Sequence, residues 1–197
     1  MEYRYHCLKK NAFQYQGGYS LRPIHPDDIE SIRVWRNDQI DILRQKEEIT
    51  PEAQRAYFNA AIWPLFQEKQ PRQLLFSLFL KDQLIGYGGL TYIDWDAKRG
   101  EVSFLTDTKR QNLIQDDFYH YLNLLSQMTF EELGFHRIFT ETYAFRKDIL
   151  QILDSFGFQY EGRLREHVYK RGKWMDSIFH GLLNTDNRNL LHKISNA

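Results

Sequence analysis

The chain has one cysteine, Cys7, in 197 residues, so no intramolecular disulfide can hold it together. It has no excess of either charge, with 26 Lys+Arg against 26 Asp+Glu. A balanced chain sets up no general field to draw nucleic acid or a lipid surface, and neither partner is expected. No apolar run approaches the roughly 20 residues that cross a bilayer. The opening MEYRYHCLKK lacks the apolar stretch of a secretory signal, so a cytoplasmic location is expected. The seven histidines show no paired ligand spacing, and no metal is expected. There is no G-x-S-x-G elbow for a serine nucleophile. The most telling shortage is local. TDTKRQNLIQDDF, Thr106 to Phe118, joins a strand-like run to a helix-like run without a single glycine. Such junctions bind anions through free helix N–H groups, usually with glycines that let the backbone approach. This one instead carries two adjacent acids, Asp116 and Asp117.

What is present suits one α/β domain. The 14 Phe, 12 Tyr and 4 Trp can build a large core and an aromatic-lined cleft. NAFQYQGGYSLRPI alternates on both sides of Gly17-Gly18, the pattern of a hairpin with positive φ in the turn. In HPDDIESIRVWRND, Pro26 suits the first helical position, and Ile29, Ile32 and Trp35 share one face. TPEAQRAYFNAAIWPLFQEK begins with N-cap Thr50 and then Pro51, and Pro64 should end or kink that helix. Two apolar strands flank a turn expected at Asp82-Gln83. Gly86, Gly88 and Gly89 mark bulges or close backbone contact. GEVSFLT is a further strand. Phe118, Tyr121, Leu122, Leu125, Met128 and Leu133 form a helical stripe stopped by Gly134. RIFTETYA is a strand, RKDILQILDSF a helix stopped by Gly157, and the last two strands turn at Arg171-Gly172. Helices between strands, with three consecutive strands in the middle, predict a mixed sheet covered on both faces.

FEELGFHRI, LDSFGFQYEGRLREHVYKRGKWMDS and the late HGLL resemble the C-terminal half of the GNAT superfamily of acyl-CoA-dependent N-acetyltransferases. Their closest resemblance is to the ribosomal-protein-alanine group. YSLRPIHPDDIESIRVWRND resembles the family's first strand and helix. The resemblance spans residues 19–183, with 1–18 as an extension and hairpin strand and 184–197 as a tail. It implies a mostly antiparallel mixed sheet with a splayed strand pair that holds pantetheine. It also implies acetyl-CoA as co-substrate, a small-molecule or peptide amine as acceptor, and it leaves a homodimer open. Carried over by position, the cofactor region is Ser103 to Thr106 (with Phe104 and Leu105), then Lys109, Arg110, Gln111 and Asn112, and finally Arg146. The sequence departs from the family at three places. The loop's two small positions fall on Ile114 and Asp116, or on Asp116 and Phe118. Arg146 stands where relatives carry asparagine, with Ile149 at the later small position. Leu153 stands where many carry a tyrosine acid.

The chemistry needs a base for the acceptor's ammonium proton and an acid for the leaving thiolate. Glu101, at the start of the bulged strand, is the first candidate base, and Glu141, in the splayed strand, is the second. Their ordinary readings are a strand-end acid and a partner for Arg137 or Arg163. Tyr143 is the candidate acid, with core packing as its plainer role. Trp35 and Arg36 are candidates for acceptor contact, Trp35 also reading as a core anchor. His120, beside the apolar stripe of its helix, and His136, after the helix-ending glycine, read as structural. His167 and His180 have no nucleophile beside them, and Cys7 lies outside the region of resemblance. The basic KRGK tip reads as solvated. The missing glycines leave a second reading open at this stage, a catalytically inactive GNAT-fold interaction module.

Overall fold

The computed structural model describes residues 3–186, so of the tail expected at 184–197 the part from 187 onward lies outside the described residues. Among the described residues, eight strands form one sheet in the order β1-β2-β3-β4-β5-β6-β8-β7. They are β1 (Phe13–Tyr15), β2 (Tyr19–Pro23), β3 (Leu74–Leu80), β4 (Gln83–Asp94), β5 (Arg99–Thr106), β6 (Arg137–Tyr143), β7 (Gln159–Lys170) and β8 (Lys173–Leu183). The helices are α1 (Ile29–Asp38), α2 (Pro51–Tyr57), α3 (Ile114–Ser126) and α4 (Lys147–Phe156). Every strand pair is antiparallel except β5 with β6. The mixed sheet expected from the sequence is therefore present, with β3-β4-β5 as its meander.

Local chemistry sets the boundaries. Gly17 and Gly18 take φ of 71° and 83° in the first turn, where a side chain would be strained. The Thr50 hydroxyl accepts from the Ala53 amide at 3.2 Å, and Pro51 opens α2. That helix loosens into a π turn at Phe58–Ile62, and Pro64 sits in a separate 3-10 turn, Trp63–Gln67. The β3–β4 turn is Lys81-Asp82, one residue earlier than expected. Lys81 itself takes the left-handed conformation (φ 56°), so strand pairing resumes at Gln83 opposite Leu80. Residues before β1 are stitched into the core. The buried Tyr5 stacks on Phe66 at 4.1 Å, and its hydroxyl accepts from the Leu75 amide at 2.8 Å.

Alternation across the sheet places the helices on opposite faces. Tyr87 of β4 reaches Arg36 of α1 on one side. Its neighbour Gly88 faces Tyr121 of α3 on the other, where that hydroxyl donates to the Ser103 carbonyl at 2.6 Å. A Cβ on Gly88 would lie 2.1 Å from the Ser103 oxygen and 2.5 Å from the Tyr121 hydroxyl. Gly88→Ala should therefore cost about 1–3 kcal/mol in a denaturant titration, as overpacking does. An unchanged midpoint would show that strand and helix can part there.

Candidate functional site

The site follows from where β5 and β6 stop pairing. Their parallel register covers only Arg99, Gly100 and Glu101 against Arg137, Ile138 and Phe139. Beyond it, β5 continues to Thr106 bonded to β4, and β6 continues to Tyr143 bonded to β8. The edges between them are left facing a gap. A cavity of about 640 Å³ occupies this region. Phe104, Phe118, Ile149 and Leu153 line it toward α3 and α4, and Arg44, Tyr57, Arg72 and Tyr92 line it toward the α1–α2 connection.

Glu101 and Glu141 both reach the cavity from the same face, one on each side of the parting. A single atom joins them: Arg44 Nη2 donates to Glu101 Oε1 at 2.8 Å and to Glu141 Oε2 at 2.7 Å. Glu101 is buried, and its Oε2 receives only a 3.4 Å contact from Arg44 Nη1. Burial raises the Glu101 pKa above the usual carboxylate range, and the Arg44 bond opposes the rise without cancelling it. For Arg44, burial disfavours the charge, but its bonds to the two carboxylates outweigh that and raise its pKa. Glu141 also accepts from the Ser177 hydroxyl at 2.8 Å, with His167 Nε2 3.7 Å away. The ordinary partners considered for Glu141 are engaged elsewhere: Arg137 with Glu161 and Arg163 with Asp176. Tyr143 is buried in the cavity wall, and that burial raises its hydroxyl pKa, keeping it protonated.

The residues carried over for a cofactor divide into two groups. Phe104 lines the cavity, its ring 4.8 Å from Phe118 and 4.6 Å from Tyr121. Arg146 lines it too, and no hydrogen bond or ion pair from its guanidinium is made to any described residue. Burial lowers its pKa, the response of a cation without a bonded carboxylate. Leu105 and Thr106 are buried, and the Thr106 carbonyl accepts from Gln39 Nε2 at 2.8 Å. Lys109, Gln111 and Asn112 are exposed on a 3-10 turn, Thr108–Leu113, that runs directly into α3. No residue from Asp107 to Asp117 has a positive φ, so a glycine-free chain has taken a helical path here instead of forming a nest. Arg110 donates from Nε and Nη2, both at 2.7 Å, to the fully buried Asp117, which also accepts from Tyr19 at 2.9 Å.

Of the acceptor candidates, Arg36 lines the cavity, held by Tyr87 at 2.8 Å and Gln45 at 3.1 Å. Trp35 is buried in the core and does not line it. Leu153 does line it, so no phenol stands at that position. Sequence reasoning missed Arg44, Arg72, Tyr57 and Tyr92, which lie in or beside connections that carry no periodicity. Among the described residues, no cluster of three His, Cys, Asp or Glu side chains is placed to hold a metal ion. Nor is any helix among them long and apolar enough to cross a membrane.

A gap between strands suits a thin, amide-rich arm such as pantetheine. The buried Thr140 hydroxyl, which has no partner, lines the same cavity and offers such an arm a hydrogen bond. Comparison with known proteins gives the family. Residues 21–179 match the family described as acetyltransferase (GNAT) domain. An uncharacterized N-acetyltransferase from the SPbeta prophage of Bacillus subtilis, YokL, is 21% identical over 163 residues, 83% of this chain and 88% of the relative. Spermidine N-acetyltransferase of Vibrio cholerae, solved with CoA and spermine, superposes with a TM-score of 0.78 at 17% identity, over 87% of this chain and 99% of that one. A dodecameric form of that enzyme gives 0.74 at 19% identity, over 88% and 98%. At these identities the superpositions show a shared fold. None of these matches singles out the ribosomal-protein-alanine group.

Proposed function

This chain belongs to the GNAT acetyltransferase family, and we propose that it acetylates its amine by direct attack in a ternary complex. The observation that carries the reading is the parting of β5 and β6 at Glu101 and Phe139, with two cavity-facing carboxylates at its edge. Acetyl-CoA supplies the acetyl group as a reactive thioester. Phe104, the Thr140 hydroxyl and Arg146 would hold it along the gap, with Lys109 at the start of the path into α3. Family members that bind it through a glycine nest spread its phosphates over backbone amides. Here a larger share of that binding falls to cationic side chains.

Glu101 acts as the base. Its raised pKa brings it nearer to the acceptor's ammonium, and its Oε2 is the oxygen with the weaker existing contact. Arg44 holds Glu101 and Glu141 in place, and Glu141 is the second proton acceptor. Tyr143 serves as the acid, in place of the family phenol replaced by Leu153. Holding both reactants in one cavity supplies much of the rate by proximity. The acceptor is an amino sugar, a protein N-terminal amine or a small amine. The resemblance to ribosomal-protein-alanine enzymes speaks for the second, and the spermidine-acting neighbours speak for the third.

The direct test is linkage. Acetyl-CoA at a hundred times its dissociation constant should stabilise the fold by about 2.7 kcal/mol in thermal or chemical unfolding. No stabilisation by acetyl-CoA, CoA or longer acyl-CoAs at millimolar concentration would refute the reading.

A further inference from the structure

The cavity's charge does not match that of a polycationic acceptor. Four arginines line it, Arg36, Arg44, Arg72 and Arg146, against two glutamates, Glu101 and Glu141. Both glutamates are already bonded to Arg44. The positive excess therefore stands with its negative partners occupied. It is also spread over both sides of the parting. Arg146 lies where β6 gives way to α4, on the side of the gap proposed for the co-substrate. Arg36, Arg44 and Arg72 lie on the other.

The outer end of that second side is formed by Tyr57, Arg72, Gln73 and Tyr92. The Ile93 amide donates to the Arg72 carbonyl at 3.3 Å, which sets Arg72 beside Tyr92. Thr91 pairs with Glu101, so this end adjoins the proposed base. The Arg72 guanidinium makes no hydrogen bond or ion pair with any described residue. Tyr92 is held in the left-handed conformation, with φ of 47°, where β4 loses register with β5 between Thr91 and Asp94. A tyrosine rarely takes that backbone, and such strain gathers at binding and catalytic sites. Tyr92 is 67% exposed, with the Arg44 guanidinium 5.4 Å from its ring centroid. Across from it, Tyr57 is half exposed, with Gln73 Nε2 3.5 Å from its hydroxyl. An unpaired guanidinium beside two open phenol rings and an amide is a binding surface for an anion on an organic body. A second ammonium would find no free carboxylate there.

Resting on the acetyltransferase reading, we infer that the acceptor amine carries an anionic group, a phosphate or a carboxylate, which Arg72 holds at the Tyr57–Tyr92 mouth while the amine reaches Glu101. This sets the chain apart from the polyamine-acting enzymes whose fold it shares, because the mouth would repel the second and third charges of a polyamine.

Calorimetric titrations of protein saturated with CoA test the inference with the co-substrate's own phosphate contacts already occupied. The probes are glucosamine 6-phosphate against glucosamine, a dipeptide with a free carboxylate against its amide, and spermidine. The anionic member of at least one pair should bind tenfold or more tighter than its uncharged counterpart, about 1.4 kcal/mol. The pair that shows the preference distinguishes phosphate from carboxylate. Arg72→Gln should bring that ratio below threefold by weakening the anionic member alone. Equal binding within both pairs, binding of none of the probes, tightest binding of spermidine, or an unchanged ratio in Arg72→Gln would each overturn the inference. Failure of CoA itself to bind would instead refute the acetyltransferase reading, and the same titrations on the free protein would then decide the anion site separately.

Discussion

Glu101→Gln should lower kcat by about 10²–10³-fold while changing acetyl-CoA affinity by no more than about threefold. The amide keeps the shape of the carboxylate and one acceptor oxygen for Arg44, so packing is preserved. What it removes is the group that takes the acceptor's proton. The wild-type pH–rate profile should have an acidic limb above the usual glutamate range, because burial raises this carboxyl despite the Arg44 bond. Activity then falls as pH drops through that raised value and the base becomes protonated. In the variant that limb should disappear. Glu141→Gln should have a smaller effect, since Glu141 is bonded to both Ser177 and Arg44. An acidic limb that survives unaltered in Glu101→Gln would remove Glu101 as the base. Loss of the limb in Glu141→Gln would transfer the role to Glu141.

Much of the fold was legible because its boundaries rest on residues with few conformational options. Gly17-Gly18, Pro51, Gly134, Gly157 and Arg171-Gly172 punctuate the chain where they were read to do so. The turn at Lys81-Asp82 was read one residue late because the left-handed position is filled by a lysine rather than a glycine. Glu101 and Glu141 could be picked out separately from strand position. Their junction could not, because Arg44 comes from an aperiodic connection and joins residues 57 and 97 positions away. The same holds for the cavity mouth. Tyr92 is aimed by a register shift, and Arg72 is placed by a backbone bond from Ile93 of β4. Neither leaves a pattern in the sequence. Trp35 beside Arg36 shows how little adjacency means on a helix. One faces the core and the other the cavity, as successive residues about 100° apart do.

The glycine-free loop leads to the second large effect, on stability. Arg110→Ala should cost about 3–5 kcal/mol in a denaturant titration, the range for breaking a buried ion pair from one side. Asp117 is wholly buried, and the Arg110 side chain is only 14% exposed. Without the guanidinium, the carboxylate keeps just the Tyr19 hydroxyl, and its charge has no route to water. From sequence, Asp116 and Asp117 stood together as two acids in the loop expected to meet a phosphate, and Arg110 stood among the residues expected to hold the cofactor. The structure separates these roles. Asp117 turns inward and takes Arg110 with it, while Asp116 stays exposed. Arg110 thereby fixes the 3-10 turn onto α3, so its removal should loosen the whole junction. A structural pair predicts rescue: adding Asp117→Asn to Arg110→Ala should recover part of the loss, since a neutral amide leaves no buried charge behind. An exposed pair would behave differently, with a loss below about 1 kcal/mol and no recovery in the double variant. That result would free Arg110 to act mainly as a phosphate ligand, and the loss would then appear in acetyl-CoA affinity rather than in stability.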